Sequence, residues 1–187
     1  MAMVKEPVIF QVSGYQNSGK TTLINKLITG LKEKGLSVIT IKHHGHGGKP
    51  EIPEGKDSSS HIESGAAASL VEGGGRLLMH AEKNSWSLEE QIKLVLHMKP
   101  DVVLIEGHKK ASYSKALLLR SDEDMHLLKE LTNICAVLIW DNKEVNGNNV
   151  PLEAPFFGIG DPKGPDWIVE FLVSERMKKN RSKNSSI

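Results

Sequence analysis

The chain has 187 residues and only one cysteine, Cys135, inside the apolar run Ile134-Cys135-Ala136-Val137-Leu138-Ile139-Trp140. A single cysteine excludes a disulfide within the chain and any cysteine-rich metal cage, and its neighbours read it as a core thiol. Charge of one sign is also lacking: 24 Lys and Arg against 23 Asp and Glu give a formal net charge of +1. No basic field favours a nucleic-acid partner held by phosphate neutralisation. Uninterrupted apolar stretches of membrane-spanning length are missing, and no apolar segment follows a basic one at the amino terminus. The expectation is a cytoplasmic protein that binds neither membrane nor nucleic acid, with one domain over 1–178 and a basic, disordered tail over 179–187.

What is present begins with Gly14-Tyr15-Gln16-Asn17-Ser18-Gly19-Lys20-Thr21, which fits the P-loop pattern G-x-x-x-x-G-K-[ST]. A buried strand is predicted before it at 8–12, and the following 22–28 carries apolar residues at helical spacing. Phosphate oxygens need converging N–H donors, so Gly14 and Gly19 stand where backbone must approach closely or turn sharply. Gln16, Asn17 and Ser18 would contribute loop amides. Lys20 adds a point charge toward the β and γ phosphates, the Thr21 hydroxyl suits magnesium, and Thr22 suits the α phosphate.

Strands are predicted at 37–42, 67–72, 76–80, 101–107, 115–120, 134–140 and 155–158, with a glycine turn at 73–75. Helices are predicted at 57–63, from the capping box Ser87-Leu88-Glu89-Glu90 to Pro100, at 122–131 and at 165–177. This alternation predicts an α/β fold: a mostly parallel sheet with helices on both faces and ligands beyond the carboxyl ends of the strands.

Glu106 ends a buried strand, as a carboxylate holding magnesium directly or through water, or polarising an attacking water, would; a strand-ending acid facing solvent is the alternative. Asp101 starts that strand at the end away from the loop. The run His43-His44-Gly45-His46 could bind a transition metal, contact phosphate or a partner, or be ordinary loop. Asp57, in Gly55-Lys56-Asp57-Ser58, reads equally as a γ-phosphate-sensing switch residue or a helix N-cap. His108-Lys109-Lys110 and Lys115 could attract a second phosphate-bearing ligand or form a solvated loop. Asn142-Lys143-Glu144-Val145 departs from the guanine-reading Asn-Lys-x-Asp at its fourth position.

Residues 14–22, Ile41-Lys42-His43-His44, Gly55-Lys56-Asp57-Ser58 and 101–109 together resemble the MobB family of molybdopterin-guanine dinucleotide synthesis, over roughly 7–175. The resemblance implies a P-loop NTPase fold of the signal-recognition and metal-insertase GTPase group, GTP and Mg2+ as cofactors, slow hydrolysis and a homodimer. It implies as partners a MobA-type guanylyltransferase and molybdopterin. Carried onto this chain, residues 14–22 would hold phosphates, Thr21 and Glu106 would serve magnesium, and Lys20, Glu106 and Asp57 would act in catalysis. His43 and Lys109 would edge the pocket. His108 stands where relatives often have an aromatic, and Leu117 where an acid is common. A metallochaperone-type GTPase, a small-molecule kinase and a nucleotide-controlled adaptor are the alternative functions.

Overall fold

Why the strands form one parallel sheet is legible in their composition. Val102–Glu106 (β5), Lys115–Leu119 (β6) and Ile134–Ile139 (β7) are nearly continuous runs of apolar residues, which suit burial on both faces. In the computed structural model, which describes residues 6–43, 57–140 and 153–184, they join Val8–Gly14 (β1), Val38–Lys42 (β2) and Phe156–Gly158 (β8). The order is β2-β5-β1-β6-β7-β8 and every pairing is parallel. All six strands therefore end on the same edge of the sheet.

One face is covered by Lys20–Glu33 (α1) and Lys163–Asn184 (α5). Alternate strand residues, among them Phe10, Leu104, Leu118 and Leu138, meet Leu27, Leu31, Ile168 and Leu172 in one apolar cluster. α1 and α5 approach closely at Gly30, where an added Cβ would stand 2.8 Å from Val169 Cγ2. On the opposite face Leu117, Leu119, Val137 and Ile139 pack with Leu127 and Leu128. Those two leucines lie in the short helix Leu127–Glu130 (α4), which follows a 3-10 turn at Asp122–His126. Helices on both faces are thus present as expected. Leu117, noted above as a departure from the family pattern, belongs to this core.

Two elements differ from the sequence reading. The segment read as one helix over 122–131 divides because Asp124, 2% exposed, turns its carboxylate back to accept from Arg120 N, Nε and NH2. The tail expected to be disordered from 179 continues α5 to Asn184. Arg176 NH1 donates to Glu6 O and Lys179 Nζ to Pro7 O, so the last turns are tied to the chain leading into β1. Cys135 is partly buried, with Sγ 3.3 Å from Lys115 O, and burial pushes its thiol up to about 11.

The chain forms two compact units, 1–43 with 92–187 and 44–91. The smaller contains Asp57–Glu63 (α2) and an antiparallel ribbon, Ala68–Gly73 (β3) against Arg76–Ala81 (β4). The chain turns at Gly74 and Gly75, both in the left-handed region. Leu88–Leu96 (α3) begins at the expected capping box: Ser87 N donates to Glu90 Oε2 and Glu90 N to Ser87 Oγ.

Candidate nucleotide-binding site

The loop between β1 and α1 sits at the carboxyl edge of the sheet, beside the ends of β5 and β6. Three of its residues hold positive φ: Gly14 at 151°, Asn17 at 57° and Gly19 at 92°. At Gly14 a Cβ would fall 2.7 Å from both Leu118 O and Ser18 Oγ, so only glycine lets the loop close against β6. α1 has no side-chain cap and no acidic residue in its first turn. Its first N–H groups and the positive end of its dipole are therefore left to an anion.

Cations gather here. Lys20 Nζ donates to Tyr15 O at 2.6 Å, Lys109 Nζ lies 3.7 Å from the centroid of the Tyr15 ring, and the Arg120 guanidinium is 5.2 Å from it. Burial holds the Lys20 ammonium below the usual lysine range; Glu106 opposes this, while Lys109, Lys42 and Arg120 add to it. Mutual repulsion of four cations is an arrangement that a polyphosphate relieves. The hydroxyls of Ser13 and Ser18 are buried and make no hydrogen bond among the described residues. A backbone cradle, an uncapped helix and crowded cations fit a nucleotide's phosphates.

Next to the loop, Thr21 Oγ1 donates to both Glu106 carboxylate oxygens, at 3.0 and 3.1 Å. Lys42 Nζ stands 3.3 Å from Thr21 Oγ1 and 3.3 Å from Glu106 Oε1. A hydroxyl and a carboxylate so close supply the hard oxygen donors that magnesium takes, with further positions left to phosphate and water. Gly107, at φ 92°, follows Glu106, and a Cβ added there would stand 3.3 Å from His43 Cβ. His43 N donates to Glu106 O, and the His43 and His108 rings lie 4.7 Å apart.

The fold thus brings Gly14, Gln16, Asn17, Ser18, Gly19, Lys20, Thr21, Thr22, His43, Glu106 and Lys109 to one edge. Asp57 is the first residue of α2, in the smaller unit. His44, His46, Lys56 and Asn142-Lys143-Glu144 lie outside the described residues. Among the described residues no group of three or more His, Cys, Asp and Glu could hold a metal ion, and no helix is long and apolar enough to cross a membrane.

Five residues went unassigned in the sequence. Lys42 is one, although the segment containing it was singled out. Gln11 Nε2 donates to Gly107 O and His108 O, both at 2.6 Å, and fixes the turn after Glu106. Tyr15 carries the two cations on its ring and places its hydroxyl 3.0 Å from His126 Nε2. Arg120, oriented by Asp124, reaches Gln16 O at 3.3 Å. Trp140 Nε1 donates to Ser18 O at 2.9 Å. A glutamine interrupting the apolar β1 was the one local signal; the others depend on which strands become neighbours.

The chain is similar to known proteins over most of its length. The sequence model described as "MobB: Molybdopterin guanine dinucleotide synthesis protein B" matches residues 9–140. The chain is 40% identical over 176 residues to the probable molybdopterin-guanine dinucleotide biosynthesis adapter protein of Bacillus subtilis (strain 168), covering 94% of this chain and 99% of that protein. The crystal structure of Bacillus subtilis MobB is similar at a TM-score of 0.73 and 34% identity, covering 88% of this chain and 97% of the other. The MobB protein homolog from Bacillus stearothermophilus is similar at a TM-score of 0.70 and 33% identity, covering 89% and 98%.

Proposed function

This chain belongs to the MobB family of molybdopterin-guanine dinucleotide synthesis proteins, and from that premise we propose that it is a GTP- and magnesium-binding accessory protein with slow GTPase activity. The reading makes it a cytoplasmic homodimer that assists a MobA-type guanylyltransferase, with molybdopterin as a further ligand of the pair. One observation carries the nucleotide part: the uncapped start of α1 and the Thr21–Glu106 pair lie side by side at the carboxyl edge of the sheet.

In this reading the amides of 14–22 grip the phosphates, and Lys20 leaves Tyr15 O for the β and γ phosphates. Thr21 and Glu106 would hold magnesium, and the chemistry it would supply there is neutralisation of phosphate charge. Lys42 keeps the Glu106 carboxylate directed at Thr21. Lys109 and His43 line the outer edge, and Asp57 serves as the switch residue of the smaller unit. Slow turnover follows if the chain positions phosphate well but places the attacking water poorly, which suits a protein whose bound state is its signal.

Isothermal titration of GTP and ATP with magnesium tests this. GTP is expected to bind more tightly than ATP, and Lys20→Ala to weaken GTP by at least about 100-fold through loss of a charge-assisted contact. Equal or tighter ATP binding removes the guanine part. Failure of either triphosphate to bind removes the whole reading.

A further inference from the structure

The Thr21–Glu106 pair gives the loop a direction. Glu106 ends β5, on the β2 side of β1, whereas β6, β7 and β8 lie on the other side. If the magnesium-bearing end of a nucleotide lies toward Glu106, its nucleoside leaves the loop toward β7 and β8.

On that side is a cavity of about 220 Å³ walled by Trp140, Ile159, Leu138 and Pro165, with Thr22 and Lys26 exposed at its margin. This is below the roughly 300–1,000 Å³ of pockets that hold a whole ligand, and suits one ring system rather than a nucleotide. Among the described residues its walls are apolar except at the margin. Trp140 is 54% exposed, an unusual state for so large a ring, yet it is fixed. Its Nε1 donates to Ser18 O, and its Cζ2 lies 3.8 Å from the Cβ position of Gly19. An exposed indole held rigidly against a phosphate loop is a stacking platform.

Lys26 supplies the polar contact. Its side chain makes no hydrogen bond or ion pair among the described residues. Its ammonium can only donate, so it matches a purine that presents acceptors at both O6 and N7 and opposes one carrying an amine at position 6.

We propose that this cavity seats an oxopurine ring, with Trp140 as its stacking wall and Lys26 as the donor to O6 and N7. The inference rests on the phosphate-binding reading and adds how the base is held. It makes the 2-amino group of guanine dispensable.

Calorimetry with GDP, IDP, ADP and inorganic tripolyphosphate, each with magnesium, separates the two readings. In the unaltered chain GDP and IDP should bind within about threefold of each other, and ADP at least about 10-fold more weakly. Compared with Trp140→Phe, which loses the same bond to Ser18, Trp140→Ala should weaken all three nucleotides by roughly 10- to 100-fold, while the two variants bind tripolyphosphate within twofold of each other. Trp140→Phe, which keeps a ring but loses the bond to Ser18, should retain most nucleotide affinity. Lys26→Met should bring ADP to within about threefold of GDP. Unchanged nucleotide affinity in Trp140→Ala overturns the proposal, as does an equal loss for tripolyphosphate, which would make Trp140 a support of the loop alone. A large preference for GDP over IDP, or an intact GDP-to-ADP ratio in Lys26→Met, overturns the role of Lys26. If tripolyphosphate itself fails to bind the unaltered chain, the phosphate reading fails first.

Discussion

Gly14 and Gly35 both hold backbone angles that favour glycine, yet their surroundings set different costs for adding a methyl group. At Gly14, φ 151°, the new Cβ meets a backbone oxygen of β6 and Ser18 Oγ at 2.7 Å, and the ladder carbonyl cannot give way without moving the sheet. Strain and overpacking together should cost Gly14→Ala about 3 kcal/mol and displace the loop. At Gly35, φ 74°, nothing lies within 4 Å, so Gly35→Ala should cost only about 1 kcal/mol of backbone strain. Denaturant unfolding of both variants, with tripolyphosphate titration, checks this: Gly14→Ala loses stability and phosphate affinity, Gly35→Ala a little stability alone. Equal losses of stability would mean that the loop relaxes freely and that its tight closure on β6 is not required. The loop's glycines and Lys20 could be picked out locally because they stand close together in one motif. Lys42, Arg120 and Trp140 could not, since each reaches the loop from the end of a different strand.

Asp101 opens β5 at the end of the sheet remote from the phosphate loop, as its position in the sequence implied, but it is more than a polar start to a strand. Its carboxylate accepts from Ser37 N and Oγ at 3.1 and 2.9 Å, and from Arg176 Nε and NH2 at 3.0 and 2.8 Å. It thereby joins the chain before β2, the start of β5 and the far end of α5. Partial burial raises its pKa, but the hydrogen bonds from Ser37 and Arg176 outweigh this and hold the group below the ordinary carboxylate range. A depressed folded value means that the unfolded chain binds the proton more readily. The stabilisation is therefore complete above about pH 4 and is lost as pH falls through the folded value. Asp101→Asn should cost about 3 kcal/mol at pH 7, because Arg176, only 3% exposed, is left without its carboxylate. Thermal unfolding from pH 7 to pH 3 should show the gap between Asp101→Asn and the unaltered chain narrowing below pH 4; a constant gap would place the effect in packing. At this scale element types were largely legible, because apolar runs, capping boxes and glycine turns are local. Strand order was not, and neither was the length of α5, whose polar last turns are held by contacts to Glu6 and Pro7.

The β3–β4 ribbon bears on the assembly. An antiparallel ribbon with one face on a core and one in water alternates apolar and polar residues, and two strands alone are marginal in water. Here Leu70, Leu77 and Met79 project on one face, Val71 and Leu78 on the other, and all five are more than two-fifths exposed. Each strand has its second edge unpaired among the described residues. Apolar surface on both faces with open ladders on both edges is a liability unless another chain covers it. A second copy offers the same ribbon, so a two-fold contact could bury one set of side chains or pair an edge. This supports the homodimer in the proposed function. Light scattering on a size-exclusion column at micromolar concentration should give twice the chain mass, and the double substitution Leu70→Asp with Leu78→Asp, one charge on each face, should give the single mass. Tripolyphosphate affinity should stay within about twofold, because the phosphate loop and its cations all belong to the other compact unit. A monomeric unaltered chain would defeat the dimer. Joint loss of mass and phosphate binding would show that the ribbon contributes to the site, and would make assembly a condition for nucleotide capture.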